Sequence, residues 1–279
     1  MRCLTQPGPA PALRRTEASG ALTVMEYELR PGVSLLEAVT APLVAAGMRA
    51  GSVIFGGMRL DPFRYWRPGP SDGTHAAWYS EPEAPRAAAR IHAANATFGW
   101  RDDAPFIHCH AVWRMEDEAP EAASMGGHIL PDQAIVATGT RARAYVTADA
   151  AIAARPDAET KFTLFQPDCA GAPGTLILAR LRPNQDITLA IEALCADRGI
   201  RNAILRGSIG SLVGARFTDG RVVEDYATEV LVRRGMVRDG CAALDMTVVN
   251  IAGESHTGIL ARGENAVCIT FELALEAMD

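Results

Sequence analysis

A phrase repeated at a long interval constrains the fold of this chain most strongly. The sequence LRPG at 29–32 is answered by LRPN at 181–184, 152 residues later. Each phrase precedes a residue suited to capping a helix, Ser34 in the first case and Asp186 in the second. An interval of this size predicts two similar domains in tandem rather than a solenoid of short repeats.

The two units continue in the same order after these caps. One helix is predicted from Leu35 to a stop near Gly47, with Pro42 kinking it or shifting its start, and the other from Ile187 to Gly199. Each helix is followed by a Gly-x-Arg phrase, an apolar strand and a closing hairpin, GHIL at 127–130 and TGIL at 257–260. We therefore predict an α/β (α+β) fold of two units, each a mainly antiparallel sheet with one main helix.

Composition changes along the chain suggest the domain boundaries. We predict a flexible tail at 1–20, a first domain at 21–150, a linker at 151–174 and a second domain at 175–279. The linker is rich in alanine and proline, and it contains a short apolar segment at 162–165 that could form a strand.

Charge and cysteine content limit the classes of function. The 279 residues are 48% hydrophobic and 22% charged, which is typical of a globular protein. A net charge of −6 argues against nucleic-acid binding, although Arg233, Arg234 and Arg238 could still form a local basic patch. Six dispersed cysteines and the lack of a long apolar run predict a cytoplasmic protein without a membrane span.

The segment at 106–130 contains three of the six histidines. His108 and His110 lie two apart in a predicted strand, so their side chains share a face, whereas Cys109 points the other way into packing. His128 follows two glycines that could return the chain as a second strand. Three imidazoles on one face can hold a zinc-like ion and leave one position open.

The segment at 106–113 corresponds to 244–251 in the second unit, which allows the histidine positions to be compared between the two units. The alignment places His108 opposite Met246 and His110 opposite Val248, and the closing hairpins place His128 opposite a glycine. One unit then has a complete ligand set and the other has none. This pattern predicts an active first domain and a structural second domain, with a polar cluster that binds no metal as the alternative.

A long stretch, Met58 to Ala104, has no counterpart of equal length in the second unit. It is rich in arginine and aromatic residues, and we predict that Arg59, Arg90 and His92 contact substrate. A lid over the histidines and a contact between subunits both remain open as roles for this stretch.

The order of these motifs resembles the PPC (plant and prokaryote conserved) domain. The segment GIRNAILRGSIGSL at 199–212 carries the resemblance in the second unit, and the HCH and GGH motifs at 108–110 and 126–128 carry it in the first. The resemblance implies a mainly antiparallel α/β fold, trimeric assembly and a metal site at the three histidines. It also implies similarity to acetolactate decarboxylase, a zinc enzyme with an HxH…H ligand set. The AT-hook core of plant relatives, Arg-Gly-Arg-Pro, is absent from this sequence.

Together these observations predict a site for Zn²⁺, or another divalent transition metal, at His108, His110 and His128. Its function would be lyase or hydrolase chemistry on a small anionic metabolite, in a self-associating protein. A non-catalytic regulatory or DNA-associated protein is the alternative.

Overall fold

The computed structural model describes residues 1–119, 121–168 and 171–278. In chain order the strands are β1 (Arg15–Gly20), β2 (Thr23–Leu29), β3 (Ala50–Phe55), β4 (Met58–Leu60), β5 (Tyr65–Trp66), β6 (Pro68–Gly69), β7 (Trp78–Tyr79), β8 (Ala89–Arg101), β9 (Ala104–Met115), β10 (Met125–Ile129), β11 (Val136–Thr138), β12 (Thr140–Thr147), β13 (Ile152–Pro156), β14 (Thr163–Pro167), β15 (Leu176–Leu181), β16 (Ala203–Leu205), β17 (Ile209–Leu212), β18 (Ala215–Arg216), β19 (Val222–Val223), β20 (Thr228–Arg238), β21 (Cys241–Val249), β22 (Ser255–Ile259) and β23 (Val267–Ala277). The helices are α1 (Leu35–Ala45), a 3₁₀ turn (Pro131–Gln133) and α2 (Ile187–Asp197).

Most strands belong to two sheets. In the described residues, one sheet has eleven strands, with the path β2-β12-β3-β8-β9-β10-β5, and β4, β11, β13 and β14 attached beside it. The other has eight, with the path β1-β15-β23-β16-β20-β21-β22, and β17 beside β20 and β23. Among the described residues, the strands pair antiparallel except for β13 and β8, and a second parallel contact is the isolated bridge between Ser19 and Gly171. The prediction of a mainly antiparallel α+β fold is confirmed.

Both helices begin at the predicted caps. The Ser34 side chain accepts a hydrogen bond from the Glu37 amide at 3.1 Å, and the Asp186 side chain accepts one from the Leu189 amide at 2.9 Å. Each cap satisfies an amide that has no partner within its helix. The buried face of α1 packs on the eleven-stranded sheet and that of α2 on the eight-stranded sheet, so that each sheet has its own hydrophobic core.

The opposite faces of the two sheets contact each other. Asn95 of β8 donates to the Val232 carbonyl at 2.7 Å, and Ser52 of β3 donates to the Arg206 carbonyl at 2.5 Å. Val112, Ile209 and Leu231 form a small apolar cluster in the same interface. These contacts place β8 and β9 against β17, β20 and β23.

The predicted tail and the predicted linker both contain strands. Within the predicted tail, β1 pairs with β15, and farther upstream the Gly8 amide donates to the Glu159 carbonyl at 2.8 Å. The predicted linker contains the β13–β14 hairpin, whose Ile152 and Phe165 are buried against β1 and β15. The short strand that the sequence suggested at 162–165 corresponds to β14, whereas β1 and β13 were not predicted. Backbone pairing at sheet edges, which does not require a strong apolar pattern, explains the difference.

The expected alignment of the two units is shifted by one residue. Cys109 and Ala111 point into the core of their sheet, as Met246 and Val248 do in theirs. His108 and His110 lie on the opposite face, so Met246 and Val248 cannot be their counterparts, because a one-residue slip moves every side chain to the other face. The positions that share the histidine face of β21 are Asp245 and Thr247. Cys109 is buried away from the histidines, as predicted.

In the three described ranges, neither helix has the length and apolar character needed to cross a bilayer.

Asn95 provides a test of the contact between the sheets. Its side chain is 2% exposed, and its amide also lies 3.3 Å from the Ser208 carbonyl. We expect Asn95→Ala to lower the free energy of unfolding by about 1–3 kcal/mol, because it removes the buried hydrogen bonds that its side chain donates to the other sheet. Urea unfolding of metal-free protein measures this. The exposed Thr138→Ala should change the value by less than about 0.5 kcal/mol, and equal effects of the two variants would contradict the assignment.

Candidate functional site

Strands β9 and β10 bring the three predicted histidines together. His108 and His110 share one face of β9, and His110 lies directly opposite His128 in the β9–β10 register. One nitrogen from each ring can be chosen so that the three atoms lie within 4.8 Å of one another. The predicted convergence of these side chains is confirmed.

The eight-stranded sheet supplies the groups that orient two of these rings. Glu272 of β23 has Oε1 2.9 Å from Nδ1 of His108. The Val230 carbonyl of β20 accepts a hydrogen bond from Nδ1 of His110 at 3.0 Å. Glu229, also in β20, has Oε2 3.1 Å from Nε2 of His110. The second half of the chain is therefore part of the site, and the prediction that it is only structural is wrong.

Glu229 and Glu272 were missed from the sequence, although a signal was present. Glu272 stands alone as a charged residue within the apolar run VCITFELAL at 267–275, and Glu229 precedes the apolar VLV at 230–232. A buried carboxylate is costly unless it has a partner, so an acidic residue inside such a strand indicates a polar partner on a facing element. The Glu272 side chain is 5% exposed, and His108 is its partner.

Burial and neighbouring charge give the three histidines different acidities. Burial lowers the pKa of His108, but the carboxylates of Glu272 and Glu229 outweigh this effect and raise it above the ordinary value. Burial, together with the charge on His108, holds the pKa values of His110 and His128 well below that value. In the metal-free site a proton is therefore held more strongly by His108 than by His110 or His128.

Glu229 and Tyr79 are held in their neutral forms. Burial raises the pKa of Glu229 to about 8, although the charge on His108 opposes the shift. Burial also raises the pKa of the Tyr79 phenol, and the carboxylates of Glu229 and Glu272 raise it further. Near pH 7 the Glu229 carboxyl and the Tyr79 hydroxyl can thus act as neutral hydrogen-bond donors.

The geometry of His108 and His110 fits a bound cation. A carbonyl can only accept, so Nδ1 of a neutral His110 carries the proton and its Nε2 presents a lone pair. That Nε2 lies 2.9 Å from Nε2 of His108, whose Nδ1 faces Glu272. Two imidazole lone pairs this close repel each other unless a positive centre lies between them, either a proton on His108 or a metal ion. The donor set of three imidazole nitrogens is one that zinc and similar divalent metals prefer.

An open cleft of about 790 Å³ leads to His108, His128 and Glu272. Its walls combine aromatic, aliphatic and a few charged side chains. The aromatic ones are Trp66, Trp78, Tyr79, Phe106, Phe162 and Phe165, and the basic ones are Arg101 and Lys161. The volume lies within the range of small-molecule sites.

The stretch Met58 to Ala104 forms part of this cleft, but not through the residues predicted to contact substrate. Trp66, Trp78 and Tyr79 line the wall, and the Trp66 and Tyr79 rings lie 5.3 and 5.4 Å from the His128 ring.

Arg59, Arg90 and His92 are not brought to the histidines. Arg59 and Arg90 form ion pairs with Glu116, at 2.6 and 3.1 Å, and neither lines the cleft. His92 lies on β8 two residues after Arg90, where burial and the charges of Arg114 and Arg90 lower its pKa. Because Glu116 neutralises the two arginines, they do not offer a free binding site for a carboxylate.

No family model and no curated protein matches the sequence. The chain is similar to the solved structure of a metal-containing protein from Archaeoglobus fulgidus, with 15% identity, a TM-score of 0.41 and coverage of 51% of this chain and 92% of that one. It is also similar to a plant- and prokaryote-conserved (PPC) protein from Pyrococcus horikoshii, with 14% identity, a TM-score of 0.41 and coverage of 53% of this chain and 96% of that one.

Proposed function

We propose that this chain is a divalent-metal protein built from two tandem PPC-like units, and that it uses the metal to catalyse a lyase or hydrolase reaction. His108, His110 and His128 would hold the ion, with Zn²⁺ the best fit to three neutral imidazoles. The substrate would be a small anionic metabolite bound in the cleft.

The observation that carries this proposal is the convergence of three imidazole nitrogens within 4.8 Å of one another. Two of the three rings, His108 and His110, are also oriented by the other sheet. Their Nδ1 atoms are committed to Glu272 and to the Val230 carbonyl, so both Nε2 atoms are directed at the same point. Metal-binding histidines commonly use the second nitrogen in this way, since a carboxylate or carbonyl there fixes the ring and makes the ligand more basic.

The cleft supports catalysis rather than a purely structural metal. Structural zinc sites are closed by four protein ligands, whereas three histidines beside an open cleft leave a position for substrate. A metal bound there would supply Lewis acidity toward a carbonyl group or a water molecule. Lys161 lies in the cleft wall and can attract an anion, a role in which it replaces Arg59 and Arg90, whereas Arg101 pairs with Asp102 at 3.8 Å.

Metal analysis tests the ligand set. Wild-type protein purified without added zinc and then dialysed should retain about one ion per chain. His110→Ala should weaken binding more than about 100-fold, because it removes a ligand rather than an outer partner. His256→Ala is the matched control, since His256 lies on β22 and contacts Asn250 instead of the cluster. Wild-type protein without metal, or equal retention by both variants, would contradict the proposal.

The affinity for zinc should depend on pH through His108. A metal ligand must be unprotonated, and the pKa of this imidazole is raised by Glu272 and Glu229. Below the raised pKa, affinity should therefore fall by about tenfold for each unit of pH, and above it affinity should level off. Competition with a chromophoric chelator across neutral pH measures this. Affinity that does not weaken as the pH falls would show that no such proton is displaced.

Glu272→Gln should separate orientation of His108 from simple packing. The amide has nearly the same shape but no charge, so we expect zinc affinity to fall by about 10- to 100-fold. The pH at which affinity levels off should also move downward, because the variant removes the main charge that raises the pKa of His108. The matched control is Glu276→Gln. Glu276 lies on the same strand but pairs with Arg206 at 2.6 Å, so its substitution should leave zinc affinity unchanged. A loss of affinity without the pH shift would point to packing alone.

A further inference from the structure

We propose that the cleft selects a planar aromatic ligand with oxygen donors at its inner end and a negatively charged group at its outer end. This inference rests on the proposed metal site and specifies the substrate class that the site would accept. Hydroxylated aromatic acids have this combination of features.

Aromatic side chains are concentrated around the cleft. The chain has 4 tryptophans, 5 tyrosines and 8 phenylalanines, only 6% of its residues. Six of these rings line this one cleft. Such a concentration next to solvent indicates a surface that stacks on a flat apolar ligand, since aromatic rings gain from offset and edge contacts with another ring.

The rings come from separate parts of the chain and surround the inner histidines. Trp66 and Tyr79 stack on each other, with centroids 4.7 Å apart, and both contact the His128 ring. Phe162 packs against Trp78 at 4.9 Å, and Phe106 meets Phe165 edge-on at 6.3 Å. Trp78 remains 37% exposed, which leaves part of its indole available to a ligand.

Charge is distributed unevenly along the cleft. Four charged residues at the outer end are exposed, the basic Arg101 and Lys161 and the acidic Asp102 and Asp132. Arg101 pairs with Asp102 at 3.8 Å. His108, Tyr79 and Glu272 lie at the inner end. Lys161 is the only lysine in the chain, and it has a left-handed backbone with φ of 68°. In the described part of the chain its side chain has no carboxylate partner. An anionic group on the ligand would therefore meet Lys161 at the outer end, while oxygen donors face the histidines.

Two chelating probes test the aromatic wall in zinc-loaded protein. One is 4-nitrocatechol, whose absorbance changes on coordination, and the other is acetohydroxamate, which has oxygen donors but no ring. We expect Trp78→Ala to lower the affinity for 4-nitrocatechol by about tenfold and Trp78→Phe to restore most of it. Acetohydroxamate should bind the wild-type protein and both variants with equal affinity. Trp100→Phe is the matched control, because Trp100 lies outside the cleft and donates to the Arg49 carbonyl.

Two further probes test the outer end of the cleft. Lys161→Met should lower the affinity for 3,4-dihydroxybenzoate, which carries a carboxylate, by about tenfold. It should leave the affinity for catechol unchanged. Equal effects on these two probes would overturn the assignment of an anionic outer group.

The proposed aromatic selectivity is contradicted if Trp78→Ala leaves the affinity for 4-nitrocatechol unchanged. It is also contradicted if this substitution lowers the affinities for 4-nitrocatechol and acetohydroxamate equally. That failure differs from failure of the metal site. Metal-free protein can be titrated with 2-naphthol by tryptophan fluorescence, and Trp78→Ala should weaken this binding even if no metal were ever bound. Loss of metal with intact naphthol binding would therefore contradict only the proposed function, and normal metal binding without ring selectivity would contradict only this inference.

Discussion

The site depends on the contact between the two sheets. His110 buries its ring at that interface, and the Val230 carbonyl of the opposite sheet accepts the proton on its Nδ1. Asn95 and Ser52 donate to carbonyls of the opposite sheet in the same region. A buried polar group without a partner is costly, so these bonds fix how the sheets pack against each other and which way the histidine rings turn.

The same interface gives the histidine cluster its charge balance. A positively charged His108 would be unstable in so buried a position without the carboxylate of Glu272 beside it. Glu229 lies close enough to interact electrostatically with His108 and Glu272, and burial favours its neutral form near pH 7. The acidity of each group is therefore set jointly by the two halves of the chain, and neither sheet alone would produce it.

Local patterns in the sequence predicted local features well. The spacing of His108 and His110 placed both on one face of a strand, and Ser34 and Asp186 marked the starts of the helices, because these features depend on residues close in the chain. The partners Glu229 and Glu272 were not predicted, because more than 100 residues separate them from the histidines. The edge strand β1 was also missed, since its partner β15 is recognised by backbone groups rather than by a side-chain pattern. The one-residue shift in the alignment of the units arose because residue types alone did not show which face of β21 is buried.

The division of the site between strands and connecting segments bears on how its chemistry and selectivity are related. The histidines and Glu272 lie on β9, β10 and β23, in the middle of sheets whose position is fixed by many backbone bonds. The aromatic walls come mainly from the stretch around β5 and β7 and from the segment leading into β14, which lie outside the sheet centres. One close contact joins the two parts: β5 can pair with β10 only because Gly127 has no side chain, since a Cβ there would lie 2.4 Å from the Trp66 carbonyl oxygen. Substitutions in the aromatic walls can therefore change which ligand fits while the histidines and Glu272 keep their geometry. A larger residue at 127 would move the Trp66 wall away from His128 and disturb both.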